Sequence, residues 1–235
     1  MKPVAENLSA DFGVLELLQT ANSVDGQIAE LHRQLASSAD VPAVLVGYSW
    51  GAWLGFLFAA RYPDLVRKLI LVSAGAFESK YNKDLTSIRL NRLRPADREE
   101  AERLISIITT GNPDCEAFRR FGELMTIADS FDCLPGSDYP VDLNADIYES
   151  VWAEASRLRE TNELIENAAR INCPVVAIHG DYDPHPVEGV KNPLFGRLEN
   201  FRMVVINKCG HTPWRERLAK DTFFEILWQE IKEVL

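Results

Sequence analysis

The feature that most constrains this chain is the run VPAVLVGYSWGAWLG at residues 41–55. Val44, Leu45 and Val46 read as a short apolar strand, and Ala52 to Arg61 as a helix with a small-residue start. Between them lies Gly47-Tyr48-Ser49-Trp50-Gly51, a G-x-S-x-G sequence in a strand–turn–helix setting. Such a turn lifts one serine out of the sheet and onto a helix N-terminus. A serine hydroxyl is a weak nucleophile until a base takes its proton. In this turn Ser49 Oγ is expected to be exposed. The Trp50 N–H is expected to point to where an oxyanion develops, helped by the positive end of the helix. Gly47 and Gly51 are expected because side chains there would strike the neighbouring helix and strand. The competing reading is a tight strand–helix turn with a bystander serine.

Two further motifs sit where strands end. His179-Gly180-Asp181-Tyr182-Asp183-Pro184 follows the strand Pro174 to His179, and Cys209-Gly210-His211-Thr212-Pro213 follows the strand Phe201 to Ile206. The chain order Ser49, Asp183, His211 matches one of the known orders of a serine triad. His211 would serve as general base and then general acid. Asp183 would accept the other imidazole N–H, fixing the tautomer. Asp181 competes for that role. Asp183 is preferred because a glycine-led loop needs a few residues to turn back toward the histidine. The competing reading of either aspartate is a turn residue, since Asp-Tyr-Asp-Pro is good turn chemistry. His179 reads as a structural hydrogen-bonder at a strand end, and His32 as a solvated side chain on a surface helix. His185 lies near the predicted site and is a candidate to touch substrate. Tyr48, Trp50 and Trp214 are the other pocket candidates, with Trp50 foremost because it follows the serine. Trp53 and Trp152 could line an apolar pocket or fill a core.

Around these motifs, Ser23 reads as an N-cap for an amphipathic helix to about Ser38, and Leu69 to Val72 as a strand covered on both faces. Val14, Leu15, Leu17 and Leu18 suggest a short strand or an extended segment. Residues 78–170 change character: Ile88 to Leu93, Ala96 to Thr109, Cys115 to Ser130 and Ile147 to Arg170 read as four helices, with loops at Gly111-Asn112-Pro113 and Pro135-Gly136. A final helix is expected over 214–235. Strands alternating with helices predict an α/β fold with a mostly parallel sheet, and the helical block reads as an insertion over its carboxyl edge. The predicted division is a core of 1–76 and 171–235 with a helical cap at 77–170.

Composition narrows the functions. The formal net charge of −10 argues against a nucleic-acid surface, which needs clustered Lys and Arg. No apolar run approaches the roughly 20 residues of a membrane span, and the N-terminus lacks a signal-peptide core. Cys115, Cys133, Cys173 and Cys209 are far apart and form no C-x-x-C pair, which fits reduced thiols in a cytoplasmic protein and neither a disulfide framework nor a zinc site.

GYSWG, CPVVAIHGDYDP and the closing CGHTPW together resemble the α/β-hydrolase superfamily, in the manner of cap-containing proline iminopeptidase-like and esterase-like members. The resemblance covers about residues 23–76 and 171–235. It implies Ser49 as nucleophile, Asp183 as acid, His211 as base and the Trp50 amide as one oxyanion donor, with no metal and no organic cofactor. Members of that family normally carry a His-Gly-rich loop that supplies the second oxyanion donor, and no such run precedes Ser49. The chain could be shortened, the donor could come from residues 1–22 or a partner subunit, or the hydrolase could be weakened. A shortened sheet would leave an exposed edge, which favours a homodimer or coverage by the N-terminal segment.

The leading expectation is a serine hydrolase acting on a small ester or amide. A catalytically weak or inactive binding module is the rival from another class. An aminopeptidase is the rival within enzymes, with Glu149, Glu154 and Glu160 as possible holders of a substrate amine.

Overall fold

Four apolar segments of the chain form one parallel sheet. In a computed structural model that describes residues 1–110, 115–135 and 145–235, the strands are β1 (Ala43–Tyr48), β2 (Val66–Val72), β3 (Val175–Gly180) and β4 (Phe201–Ile206). They lie in the order β1-β2-β3-β4, and each neighbouring pair is parallel. Alternation along the strands sorts side chains to two faces. Leu69, Leu71, Val175 and Ala177 join an apolar cluster on one face, and Ile70, Val72, Val176 and Ile178 join one on the other. The central strands are therefore apolar throughout.

The first face is covered by α2 (Val24–Ser38) and α3 (Trp50–Arg61). Ser23 caps α2, its Oγ accepting the Gly26 N–H at 3.1 Å. Residues Ala52 to Ala60 of α3 are buried all round, because that helix is packed between the sheet and other helices. The opposite face is covered by α1 (Lys2–Leu8), through Val4 and Leu8, and by α10 (Lys220–Lys232), through Phe223, Leu227 and Ile231. The sequence reading missed α1. The strand considered over Val14 to Leu18 does not form: residues 14–21 have no regular structure. The Glu30 carboxylate ties down the end of this segment by accepting the N–H groups of Thr20 and Ala21 and the Thr20 hydroxyl.

Between β2 and β3 run α4 (Leu85–Arg92), α5 (Pro95–Thr110), α6 (Cys115–Asp129), α7 (Ala145–Glu160) and the short α8 (Glu163–Glu166). The expected loop at Gly111-Asn112-Pro113 and residue Gly136 lie outside the described residues. The single helix expected over Ile147 to Arg170 is broken. Asn162 has φ +63°, a left-handed conformation that asparagine tolerates and that ends a helix, and a 3-10 turn follows α8 at Asn167–Arg170. Residues of α4 to α6 share a small cluster of their own around Leu93, Ala101, Leu104, Leu124 and Ala128. Val151, Ala155, Leu164 and Ile165 instead join the large cluster with α2 and α3.

The last helix starts at Lys220, later than expected, because a 3-10 turn at Pro213–Arg215 comes first. A short α9 (Glu188–Leu194) was not expected. No helix among the described residues is long and apolar enough to cross a membrane. The parallel sheet sends the loops after β1, β3 and β4, with Ser49, Asp183 and His211, to one edge.

Candidate active site

Ser49 joins β1 to α3 with φ 52° and ψ −116°, a backbone state that costs a non-glycine residue on the order of 1–3 kcal/mol. Its N–H is held by the Val72 carbonyl at 3.0 Å. A Cβ at Gly47 would lie 2.2 Å from the Gly51 carbonyl oxygen, so that position cannot carry a side chain. Gly51 differs from expectation: a Cβ there would meet nothing within 4 Å. Its side faces open space, so no collision explains this glycine. The Trp50 N–H is the first of α3, and no helical carbonyl precedes it to accept.

His211 Nε2 lies 3.1 Å from Ser49 Oγ, and its Nδ1 lies 2.8 Å from Asp183 Oδ2. Asp181 does something else: its Oδ1 accepts the Cys209 N–H at 3.2 Å and ties the two loops together. Asp183 is buried, and its second oxygen accepts the backbone N–H of His185 and faces His185 Nδ1, each at 2.9 Å. His179 Nε2 donates to the His185 carbonyl at 2.8 Å, the structural role expected of it.

The charges follow from this packing. Burial alone would raise the Asp183 pKa, but His211 and His179 beside it and the bonds from His185 and His211 hold it well below the usual carboxylate value. For His211, burial disfavours the charged ring, but the Asp183 carboxylate outweighs it and the pKa is raised above the usual 6.5. For His185 burial wins and the pKa is lowered. Asp183, His185 and His211 each offer an atom within 4.8 Å of the others, a spacing that could hold a metal ion. Both Nδ1 atoms already face the carboxylate, so a cation would have to displace the protons between them.

The other pocket candidates are placed as follows. The Tyr48 ring lies 5.1 Å from that of His211, and its hydroxyl is 2.9 Å from Thr212 Oγ1. Burial raises the Tyr48 pKa, so the phenol stays neutral. Trp214 is buried, edge-on to Tyr48 and against Phe223. The half-buried Trp50 side chain turns toward α2, its Nε1 donating to Gln27 Oε1 at 2.9 Å. Trp53 is buried and donates to the Gly75 carbonyl, and Trp152 stacks on it with an interplanar angle of 2°. His32 is only partly solvated. Its ring is half-buried, 4.4 Å from the Tyr62 ring, because α2 packs on the end of α3. Cys133, Cys173 and Cys209 are free thiols, and burial pushes Cys173 up to about 11. The side chains of Cys115 and Glu149 lie outside those described. Glu154 accepts the Val24 N–H at 2.6 Å, and Glu160 is exposed.

Two groups near His211 were missed. Glu216 is buried and accepts the N–H groups of Gly210 at 3.0 Å, Phe131 at 2.9 Å and Asp132 at 2.7 Å. The Asp129 carbonyl accepts the His211 N–H at 2.8 Å, and its carboxylate takes a two-pronged bond from Arg89. The end of α6 is thus fastened to the histidine loop. The Glu216 carboxylate acts on backbone groups and that of Asp129 on an arginine 40 residues away, which leaves no local pattern to read.

A profile described as the alpha/beta hydrolase family matches residues 10–221. The chain is 26% identical over 203 residues to a pimeloyl-[acyl-carrier protein] methyl ester esterase of Neisseria meningitidis, covering 85% of this chain and 60% of that protein. It is 24% identical to a monoacylglycerol lipase of Bos taurus, covering 84% of this chain and 58% of that one. It thus spans about three fifths of the length of these two relatives. Among solved structures, VinJ aligns with a TM-score of 0.63 at 19% identity, covering 91% of this chain and 73% of that one. A proline iminopeptidase of Mycobacterium smegmatis aligns with a TM-score of 0.58 at 16% identity, covering 90% and 72%. The structural likenesses show the fold. The chain belongs to the alpha/beta hydrolase family.

Proposed function

We propose that this alpha/beta hydrolase is a serine esterase that works through an acyl-enzyme on Ser49. The observation that carries the reading is the unbroken hydrogen-bond relay Ser49 Oγ, His211, Asp183, at 3.1 Å and 2.8 Å. Ser49 Oγ attacks the ester carbonyl while its proton passes to His211 Nε2. Asp183 stabilises the imidazolium through Nδ1–H, and the Trp50 N–H receives the developing oxyanion. His211 then gives its proton to the departing alkoxide oxygen, leaving the acyl group on Ser49. Water repeats the sequence: His211 takes its proton, the hydroxide adds to the acyl carbon, and Ser49 leaves with the proton returned. These side chains supply every proton transfer. Relatives named as a methyl ester esterase and a monoacylglycerol lipase support an ester over an amide. The helices α4 to α7 act as the cap, and the bond from His211 N–H to the Asp129 carbonyl supports that role.

A binding protein without efficient catalysis is the second reading. Its motive is that residues 1–48 hold no His-Gly-rich run to supply a second oxyanion donor. The aminopeptidase reading is weaker, since Glu154 already serves the α2 N-terminus.

Fluorophosphonate labelling with intact-mass readout separates these readings. The expected result is one adduct on the wild type and none on Ser49→Ala, with matching turnover of short-chain p-nitrophenyl esters. Folded wild type that takes no adduct would favour the binding protein.

A further inference from the structure

Arg159 lies on α7, and among the described residues it is the one buried arginine, 8% exposed. A guanidinium is always charged and carries five N–H donors. Buried, it is normally matched by a carboxylate, because an unpaired charge in the interior is costly. More exposed arginines of this chain find such partners: Arg61 on Asp25, Arg89 on Asp129, Arg120 on Glu100, Arg157 on Glu163. Arg159 has none among the described residues, and its Nε is fully buried with no hydrogen-bond partner. What it does touch is an aromatic face, its guanidinium carbon lying 5.5 Å from the Trp53 ring centre. Burial lowers its pKa, opposed only by the neighbouring Glu160.

Its position connects it to the nucleophile. Trp53 is on α3, one helical turn beyond Ser49. Trp152 and Arg159 are seven residues apart on α7, so they share the face that carries buried Ala155. The Trp152 ring stacks on Trp53 at 6.1 Å. The unpaired guanidinium therefore stands against the helix that presents Ser49, separated from it by one indole ring.

Resting on the hydrolase reading, we propose that Arg159 receives a carboxylate carried by the substrate, so that the preferred substrates are esters bearing a second, free carboxylate. The planar fork of Arg159 matches a carboxylate in two parallel hydrogen bonds, and the Trp53 face gives the pair a flat apolar floor. A monoanion neutralises this one cation, whereas a phosphate dianion would leave a net charge in an apolar site. A buried arginine with a purely structural role is normally paired within the protein. This one has no carboxylate partner among the described residues, which leaves its fork for a ligand.

The test compares monomethyl esters of five- to eight-carbon dicarboxylic acids with methyl esters of the uncharged fatty acids of equal length. Wild type is expected to prefer the carboxylate series by about 10- to 100-fold in kcat/KM at the best chain length, the range of a charge-assisted bond. In Arg159→Gln that ratio falls toward one, and Arg159→Lys retains part of it. Arg159→Met is expected to raise the thermal midpoint, because an unmatched buried charge is removed. Turnover of uncharged esters with no carboxylate preference, or a lowered midpoint in Arg159→Met, overturns the proposal while leaving the hydrolase reading intact. Binding is read separately in the Ser49→Ala protein by tryptophan fluorescence, with monomethyl adipate, methyl hexanoate and inorganic phosphate as probes. Quenching by monomethyl adipate alone, lost on adding Arg159→Gln, supports the carboxylate site even in a chain that hydrolyses nothing. Tighter binding of phosphate overturns the choice of carboxylate.

Discussion

At the amino-terminal end of the sheet, Lys68 of β2 is buried with Nζ 2.7 Å from Glu230 of α10 and 3.1 Å from Glu233, and it also donates to the Glu230 carbonyl at 2.8 Å. At the carboxyl end Asp183 is just as buried, yet its partners are imidazoles that can take up or release a proton, and one of them reaches on to Ser49. Nearby, Arg159 is buried with no carboxylate partner among the described residues, and its Nε makes no hydrogen bond. Both ends bury charge in the same sheet. At the amino end each charge is matched by a fixed opposite charge, which leaves nothing for a ligand or a proton to do. At the carboxyl end the matching is movable or incomplete, and that is where chemistry has room to occur. Burial alone thus separates neither end as functional, and the nature of the partner does.

The sharpest way to break the comparison is Ser49→Ala. Ester turnover should fall at least about 10⁴-fold, since the proposed nucleophile is lost. The thermal midpoint should stay within about 1–2 °C, because a one-oxygen change at a half-buried site disturbs little packing. Retained turnover would mean that the relay is not the reacting centre.

Asp183→Asn should cost about 10⁴-fold in kcat, because an amide no longer selects the productive tautomer of His211. The same variant tests the electrostatics. In the wild type kcat/KM should rise with pH as His211 loses its proton, with a midpoint above 6.5, because Asp183 raises that pKa against the effect of burial. Without the carboxylate, burial prevails and the midpoint should move downward. A pH–rate profile that keeps its midpoint in Asp183→Asn would assign the titration to another group.

Glu216→Gln comes next. A neutral amide keeps the size of the side chain but can accept from fewer of the three N–H groups now held by Glu216. The histidine loop should loosen from the end of α6, with kcat falling about 10- to 100-fold while KM changes less, as expected when catalytic geometry is displaced by a fraction of an ångström. Stability should fall by about 1–3 kcal/mol, the cost of a buried donor left unmade. A loss confined to stability would make Glu216 a plain scaffold residue.

How far the sequence reveals this arrangement depends on the range of the interactions. The four strands, the Ser23 cap and the order Ser49, Asp183, His211 are legible because each rests on residues adjacent in sequence. Gly47 is legible for the same reason, since the close approach of the Gly51 carbonyl is dictated by the local turn. Gly51 is not explained by that logic, and the space around it belongs to the tertiary fold. The break at Asn162 falls inside an otherwise helical pattern, so periodicity alone runs through it. Glu216, Asp129 and Lys68 are invisible because their side-chain partners lie 40 to 165 residues away or their partners are backbone groups. Lys68 to the Glu230 carbonyl is such a pair, 162 apart. Arg159 is hidden for the opposite reason: its significance is the absence of a carboxylate partner among the described residues, which only the folded surroundings reveal.

The smallest effect on turnover is expected at the amino end of the sheet, and it sharpens the comparison most. Lys68→Met alone leaves the Glu230 carboxylate buried against a hydrocarbon, with Arg202 as its remaining cation. That should destabilise the fold by about 3–5 kcal/mol, the usual penalty for breaking a buried pair. The double replacement Lys68→Met with Glu230→Leu removes both charges and fills the same volume, so its stability should return to within about 1 kcal/mol of the wild type or exceed it. Denaturant unfolding of the wild type, both single variants and the double variant gives the coupling directly. Ester kcat/KM should be unchanged throughout, because this pair sits at the far end of β2 from Ser49. If the double variant recovered stability but lost activity, the two ends of the sheet would be linked, and the division between fixed and movable partners would no longer account for where the chemistry lies.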